Sequence, residues 1–330
     1  MKRFLTILLA LLPLALLSLV GCNRRSSGDL RLVYWNIQNG MWDGQDDNYD
    51  RFVDWVGEQK PDVCVWCEAQ PIYKNGTAEK LDNISEWRAD SLLVAFWKET
   101  AARYGHKYVF LGGHRDNYPQ VITSNRPVEG VDRIVGNGAD SVVSHGAGWA
   151  RIEVEGQKVN IVTLHTWPQQ YSMNVAGRSK EEIQASKDAH EGDLYRAQEM
   201  QYICEHTIKT SAEPENEYWM MMGDFNSRSR LDNWVYRYED GDTRLLVHDY
   251  ILSETPYIDI IHELYPDDFR TSTGGHSRID FVYCTKALCE KVVFADIHTD
   301  GYTRPVRDAK KISNFYHPSD HRPIIVDFSF

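Results

Sequence analysis

Hydrophobic positions along this chain change their spacing several times, and each change marks an element. Residues 30–37 (LRLVYWNI) are β-branched and aromatic and predict a strand. Over 49–59 the apolar side chains fall at Phe52, Val53, Trp55 and Val56, the spacing of one helix face, with Asp50 near its start. Pro61-Asp62 ends that helix and 63–67 (VCVWC) predicts a second strand, so the chain opens as a βαβ unit. Residues 92–104 predict another helix, and 108–111 and 121–124 predict short strands. Residues 149–154 and 159–165 flank Glu155-Gly156-Gln157-Lys158, the pattern of a hairpin. A polar stretch over 169–193 precedes a helix over 194–209. Met220 to Met222, with Tyr218 and Trp219, predict a strand; 259–264 predict a short helix; 279–284, 292–297 and 324–328 predict the closing strands. Many strands, few helices and at least one hairpin predict an α/β sandwich with mixed sheets. A parallel barrel would need a helix between nearly every pair of strands, and the pattern lacks them.

The first residues stand outside this pattern. Lys2 and Arg3 precede an apolar run over 4–20, then Gly21 and Cys22. This reads as a secretory leader; its 17 apolar residues sit at the low edge for a spanning helix. The ending Leu19-Val20-Gly21-Cys22 resembles a bacterial lipoprotein signal, which implies cleavage before Cys22 and lipidation of its sulfur. Residues 1–21 are therefore expected to be the signal peptide, 22–29 a tether (NRRSSG at its centre), and 30–330 one domain, because no Pro/Gly/Ser-rich linker or repeat divides it. The expected location is outside the cytoplasm, in the periplasm or at the cell surface, held to a membrane by the lipid.

Charge and cysteines narrow the reading further. The whole chain carries −12, and losing Lys2 and Arg3 leaves −14. Such acidity gives no long-range attraction for nucleic acid, but a bound cation can still mediate contact with a phosphate. Five of the six cysteines remain after Cys22, which allows at most two internal disulfides without fixing their pairing. Cys64 and Cys67 form a CxxC inside an apolar run, so buried strand thiols are favoured over a redox or zinc motif.

Polar residues gather where the strands end. Asn36 ends the first, Glu68 the second and His165 the hairpin strand; Asp224 and Asn226 follow the methionine strand; Asp280 enters a strand; Asp320 and His321 precede the last one. Each alone has an ordinary explanation as a turn former, rim acid, edge histidine or helix cap. Their joint position at strand ends points to one site at one edge of the sheets. Glu68, Asp320 and Asn36 are oxygen donors suited to a hard divalent cation. Asp280 with His321 would be an acid that orients and charges an imidazole. In extended backbone Asp224 and Asn226 would share a face, with Phe225 opposite. Asp224 is then placed to orient and deprotonate a water, with Asn226 to hold it or to donate to a phosphate oxygen.

The stretches LVYWNIQNG, PDVCVWCEAQ, NIVTLHTWP, MMGDFNS, SRIDFVY and SDHRPIIVDF resemble, in order, the motifs of the endonuclease/exonuclease/phosphatase superfamily. The resemblance spans about residues 30–330 and implies a DNase I-like four-layer α/β sandwich, two mixed sheets face to face with helices outside. It implies a Mg²⁺-dependent phosphoric ester hydrolase, with Mn²⁺ or Ca²⁺ as other candidate ions. Residue by residue, it implies a metal site at Glu68 with Asn36 and Asp320, and catalytic groups at His165, Asp224, Asn226, Asp280 and His321. Histidine at 165 resembles the deoxyribonuclease-, sphingomyelinase- and phosphatase-type branches rather than the abasic-site repair branch, which has tyrosine there. Gln120 stands where deoxyribonuclease-type members offer an acid to that histidine, and 169–193 is longer than in compact members. That stretch is expected to be either a solvated excursion or a cover that selects substrate. Trp42 and Trp167 are either packed or available for stacking on a substrate. The expected partner is a phosphate ester: nucleic acid, a phosphorylated small molecule or a phospholipid head group. A monomer is expected. A catalytically inactive binding module on the same fold and an extracellular endonuclease are the alternatives.

Overall fold

The computed structural model describes residues 29–41, 49–74, 79–307 and 316–330. The expected signal peptide, Cys22, most of the expected tether and Trp42 lie outside the described residues. The strands in chain order are β1 (Leu30–Asn36), β2 (Val63–Cys67), β3 (Tyr108–Leu111), β4 (Gln120–Ser124), β5 (Glu129–Ile134), β6 (Ala147–Val154) and β7 (Gln157–His165). They continue with β8 (Tyr218–Asp224), β9 (Tyr257–Asp259), β10 (Asp280–Thr285), β11 (Val292–Ile297), β12 (Val306–Arg307), β13 (Tyr316–His317) and β14 (Ile324–Phe328).

Two six-stranded sheets result, ordered β11-β14-β1-β2-β4-β3 and β5-β6-β7-β8-β10-β9, with β12 and β13 a separate ribbon. Each sheet is mixed: β1 pairs β2 and β7 pairs β8 in parallel, and the other pairs are antiparallel. The hairpin turn is tighter than the sequence pattern suggested, because Glu155 and Gly156 alone join β6 to β7, both at positive φ (49° and 76°).

Alternation along the strands builds the layers. Leu30, Leu32 and Tyr34, Val159 and Ile161, Met220 and Met222, Val282 and Cys284, and Ile324 and Val326 share the core between the sheets. The opposite face of the first sheet, with Val33, Trp35, Cys64 and Trp66, packs on Phe52, Trp55 and Val56 of helix Asp50–Gln59 and on Leu93 and Trp97 of helix Asp90–Ala102. The outer face of the second sheet, with Val162, Leu164, Trp219 and Met221, packs on Met200 and Ile203 of helix Glu191–Glu205 and on Val247 and Ile251 of helix Leu246–Glu254. The arrangement is helix, sheet, sheet, helix, the expected α/β sandwich.

Several elements depart from the sequence pattern. β5 and β9 stand at the two edges of the second sheet; β5 (EGVDRI) is polar and mostly exposed, as suits an edge, and β9 has three residues. Helix Leu246–Glu254 was not marked by the pattern. The polar stretch 169–193 is mostly exposed, as a solvated excursion would be, yet it holds helix Lys180–Asp188 with a complete Ser179–Glu182 capping box. The five described cysteines are free, with Cys64 and Cys67 buried in β2 as strand thiols.

Candidate active site

The inter-sheet rows of β1, β7 and β8 each end on a polar residue. Asn36 continues the Leu32 and Tyr34 row, His165 the Val159 and Ile161 row, and Asp224 the Met220 and Met222 row. Register places His165 beside Asp224 on β7 and β8, and Asp224 opposite Asp280 on β8 and β10. Neighbours in register point to one face, so three polar groups line one rung of the second sheet. The first sheet meets them from above: the Tyr34 hydroxyl donates to Asp280 Oδ1 at 2.8 Å, and Asn36 Nδ2 donates to Asp224 Oδ2 at 3.1 Å.

Loop residues complete the cluster. Glu68, one residue past β2 at φ 55°, accepts from Asn36 Nδ2 at 3.2 Å. Such a left-handed backbone is unfavourable for a side chain with a Cβ and persists only where the surroundings hold it. His321 Nδ1 lies 2.7 Å from Asp280 Oδ2, which also accepts from the Ser272 hydroxyl at 2.7 Å. The Ser319 hydroxyl accepts from the His321 N–H and donates to the Asn36 carbonyl, and the Trp35 indole donates to the His321 carbonyl. These bonds tie the last loop to the end of β1. Asp320 keeps 35% of its side chain exposed, 3.7 Å from His321 Nε2.

Asn226 departs from the extended geometry expected of it. The strand stops at Asp224, and Asn226 is at φ 45°. Its backbone N–H donates to Asp224 Oδ1 at 2.9 Å, while its carboxamide donates to the Thr166 carbonyl at 3.0 Å. Asn226 thus holds Asp224 through the main chain rather than by sharing a face with it. Phe225 packs backward into the outer core as expected. Asn36 likewise turns its nitrogen to Glu68 and Asp224, and its oxygen accepts from the Gln38 N–H at 3.1 Å, so it aims the acids.

Electrostatics separates the two histidines. Burial opposes a charge on His321, but Asp280, Asp320 and Asp224 outweigh it and hold this imidazole well above its ordinary range. His165 is held well below the ordinary range by burial, then by His145 and His321. Its Nδ1 makes no hydrogen bond; the Tyr118 carbonyl favours the charged ring only weakly and instead accepts from Gln120 Nε2 at 3.1 Å. Gln120 therefore does not support His165.

A second histidine that the sequence reading missed packs against it. The rings of His145 and His165 lie 4.6 Å apart, and His145 Nδ1 is 2.6 Å from Asp116 Oδ2. Asp116 outweighs burial and raises the proton affinity of His145. Buried Glu199 braces this corner, accepting from the Ser144 N–H and hydroxyl and from the Trp167 N–H at 2.7, 2.5 and 2.8 Å. Trp167 itself is half-buried against Tyr171 and His145. Neither His145 nor Asp116 ends a predicted strand, so position gave no signal for them.

The residues fit a hard cation. Burial, then the nearby Asp320 charge, pushes Glu68 up to about 7. Burial and the Asp280 charge likewise push Asp224 upward, against His321 and the Asn226 N–H. At Glu68, burial and the Asp320 charge outweigh His321, the Asn36 bond and His145, and a divalent ion there would restore the ionised forms of these acids. Ligand atoms of Glu68, His165 and Asp224 lie within 4.8 Å of one another, as do those of Asp224, Asp280 and His321. In the second set Asp280 and His321 are already paired, which leaves the Glu68 side as the better place for a metal.

Comparison with known proteins agrees with this architecture. No curated protein matches the chain. An AP endonuclease from Archaeoglobus fulgidus superposes with a TM-score of 0.56 at 17% identity, covering 91% of this chain and 100% of that one. The 3′ phosphatase NExo from Neisseria, bound to a product DNA hairpin, gives 0.55 at 13% identity over 91% and 100%. D. rerio TDP2 with a single-strand DNA product gives 0.50 at 14% identity over 91% and 99%. At these identities the likeness concerns the fold. The sequence itself matches the model of the Endonuclease/Exonuclease/phosphatase family over residues 33–321, nearly all of the sandwich and every polar strand end described above, and the chain belongs to that family of phosphoric ester hydrolases.

Proposed function

We propose that this chain is a divalent-metal-dependent phosphoesterase in which Asp224 takes a proton from the attacking water while His321 and His165 face the phosphoryl oxygens. The observation that carries this reading is the convergence on one carboxylate. Asp224 Oδ1 is held by the Asn226 N–H, and Oδ2 is flanked by Nε2 of His321 at 3.7 Å and Nε2 of His165 at 3.8 Å. These separations exceed a hydrogen bond and leave the two imidazoles free to turn toward a substrate oxygen. His321, charged through Asp280, donates from Nε2 to an anionic oxygen and steadies the charge that develops there. His165, held neutral, can donate without adding charge beside the acid it faces. Asn36 aims Glu68 and Asp224 together. When bound at Glu68 and Asp320, Mg²⁺, Mn²⁺ or Ca²⁺ supplies the positive charge that offsets the phosphoryl oxygens.

The leader and Cys22 support an exported, lipid-tethered enzyme at the periplasm or cell surface. Its net charge disfavours a long polyanion. The direct test is turnover of bis-p-nitrophenyl phosphate by the full-length protein. Activity is expected with Mg²⁺, to be lost in EDTA and restored by excess Mg²⁺. Asp224→Asn, which keeps the bond to Asn226, is expected to lower kcat by about a hundredfold or more. EDTA-insensitive turnover, or a near wild-type rate in that variant, overturns the mechanism. No turnover of DNA, RNA, nucleotides, inositol phosphates or sphingomyelin either would favour the binding-module alternative.

A further inference from the structure

A cavity of about 510 Å³ opens at Asn226, lined by Lys187 and His190 of the 169–193 region and by Arg228, Tyr238 and Arg244. Asn226 both lines this cavity and clamps Asp224, so the cavity begins two residues from the proposed base. Its charge is opposite to that of the chain. Lys187, Arg196, Arg228 and Arg244 bring four cations against one carboxylate, Asp193, in a protein of net charge −12.

Two of those cations are already satisfied. Arg196 pairs with Asp193 and donates to the Trp167 and Gln169 carbonyls at 2.8 and 2.9 Å. Arg244 pairs with Asp242 and lies 3.7 Å over the Tyr238 ring. Lys187 and Arg228 differ. Among the described residues neither forms an ion pair; Lys187 rests 5.8 Å from the Tyr171 ring and Arg228 5.7 Å from the Tyr236 ring. Both are half-buried. Both cations line the cavity without an ionic partner among the described residues, and an anion bound there would pair with them. His190, exposed and 4.0 Å from Asp193, stands at the same wall as a further donor.

We infer that this cavity receives a second anionic group of the substrate, so that the enzyme acts on small phosphate esters that carry two phosphates. The inference rests on the phosphoesterase reading and gives the 169–193 segment a role in selection. A polynucleotide also has a phosphate next to the scissile one. Every further phosphate of a polymer would meet the field of an acidic protein, whereas a small bisphosphate presents its charge only where Lys187 and Arg228 neutralise it.

The test compares wild type with Lys187→Gln/Arg228→Gln in the full-length protein, after equal melting temperatures confirm folding; Lys187→Gln alone, on an exposed helix, serves if the double variant is unstable. With Mg²⁺, kcat/KM is measured on bis-p-nitrophenyl phosphate, on a nucleoside 3′,5′-bisphosphate and on a short single-stranded oligonucleotide. Separately, pyrophosphate binding is measured by calorimetry in EDTA. The double variant is expected to lose at least about tenfold more on the bisphosphate than on the single-phosphate ester, and to bind pyrophosphate at least about tenfold more weakly. Equal losses on both esters, or unchanged pyrophosphate binding, overturn the inference. A selective loss on the oligonucleotide alone reassigns the cavity to a nucleic-acid backbone and also overturns it. If wild type turns over none of the three, the phosphoesterase reading fails, and the pyrophosphate measurement still decides whether the cavity binds anions.

Discussion

His145 and His321 each gain a proton partner far away in sequence, Asp116 and Asp280; burial opposes the charged ring in each, and the nearby acids outweigh it and raise the proton affinity. The His145 pair gives a stability prediction with a definite sign. Its folded proton affinity is raised, so its contribution is fully present below the unfolded histidine value near ~6.5 and is lost as pH rises through the folded value. Asp116→Asn is therefore expected to cost about 1–2 kcal/mol near pH ~5.5 and little near pH ~9. Urea midpoints of variant and wild type at the two pH values check this; an equal loss at both would mean that Asp116 acts only as a neutral acceptor. At this scale the sequence was a partial guide. Asp280 and His321 stood at strand ends and were legible as a pair, whereas His145 lies in SHGAG, ahead of β6, and nothing local distinguishes it from a loop histidine.

Strands β7 and β8 set the spacing of the site through one glycine. Gly223 stands in register with Leu164, and a Cβ there would lie 2.2 Å from the Leu164 carbonyl oxygen and 2.8 Å from its Cδ1. No side chain fits without moving one strand, and the next residues are His165 and Asp224. Gly223→Ala is expected to destabilise the protein by about 1–3 kcal/mol and to lower activity beyond what the lost stability explains. Denaturation and kinetics below the unfolding transition separate the two effects; wild-type values in both would show that the strands part easily. The need for glycine was only half visible in MMMGDFNS, where it read as the exit from a strand. The close approach of β7 becomes apparent only once the two strands are parallel neighbours. Elements whose burial depends on distant partners were the ones missed: β5 and β9 are edges that look like loops, and helix Leu246–Glu254 is defined by the sheet face it covers.

Across the whole molecule, acidity and the leader bear on where the enzyme works and what it holds. No helix among the described residues is long and apolar enough to cross a membrane; in the proposed function attachment is through Cys22. Cells expressing the protein are expected to incorporate labelled palmitate into it, and Cys22→Ala to abolish that labelling; persistent labelling would exclude the lipoprotein reading. The sequence by itself determined the layers and the list of polar strand ends, because alternation is local: a residue two positions along a strand shares a face whatever the rest of the chain does. Tertiary structure decided the pairings other than that of Asp280 with His321. It set Tyr34 on Asp280 and Asn36 on Asp224, 246 and 188 residues apart, turned Asn226 out of the strand, packed His145 against His165, and brought Gln170, Lys187, His190 and Asp193 of the polar stretch to the wall of a basic cavity. Those contacts depend on sheet order and on how two sheets close over each other, which no local spacing of residues encodes.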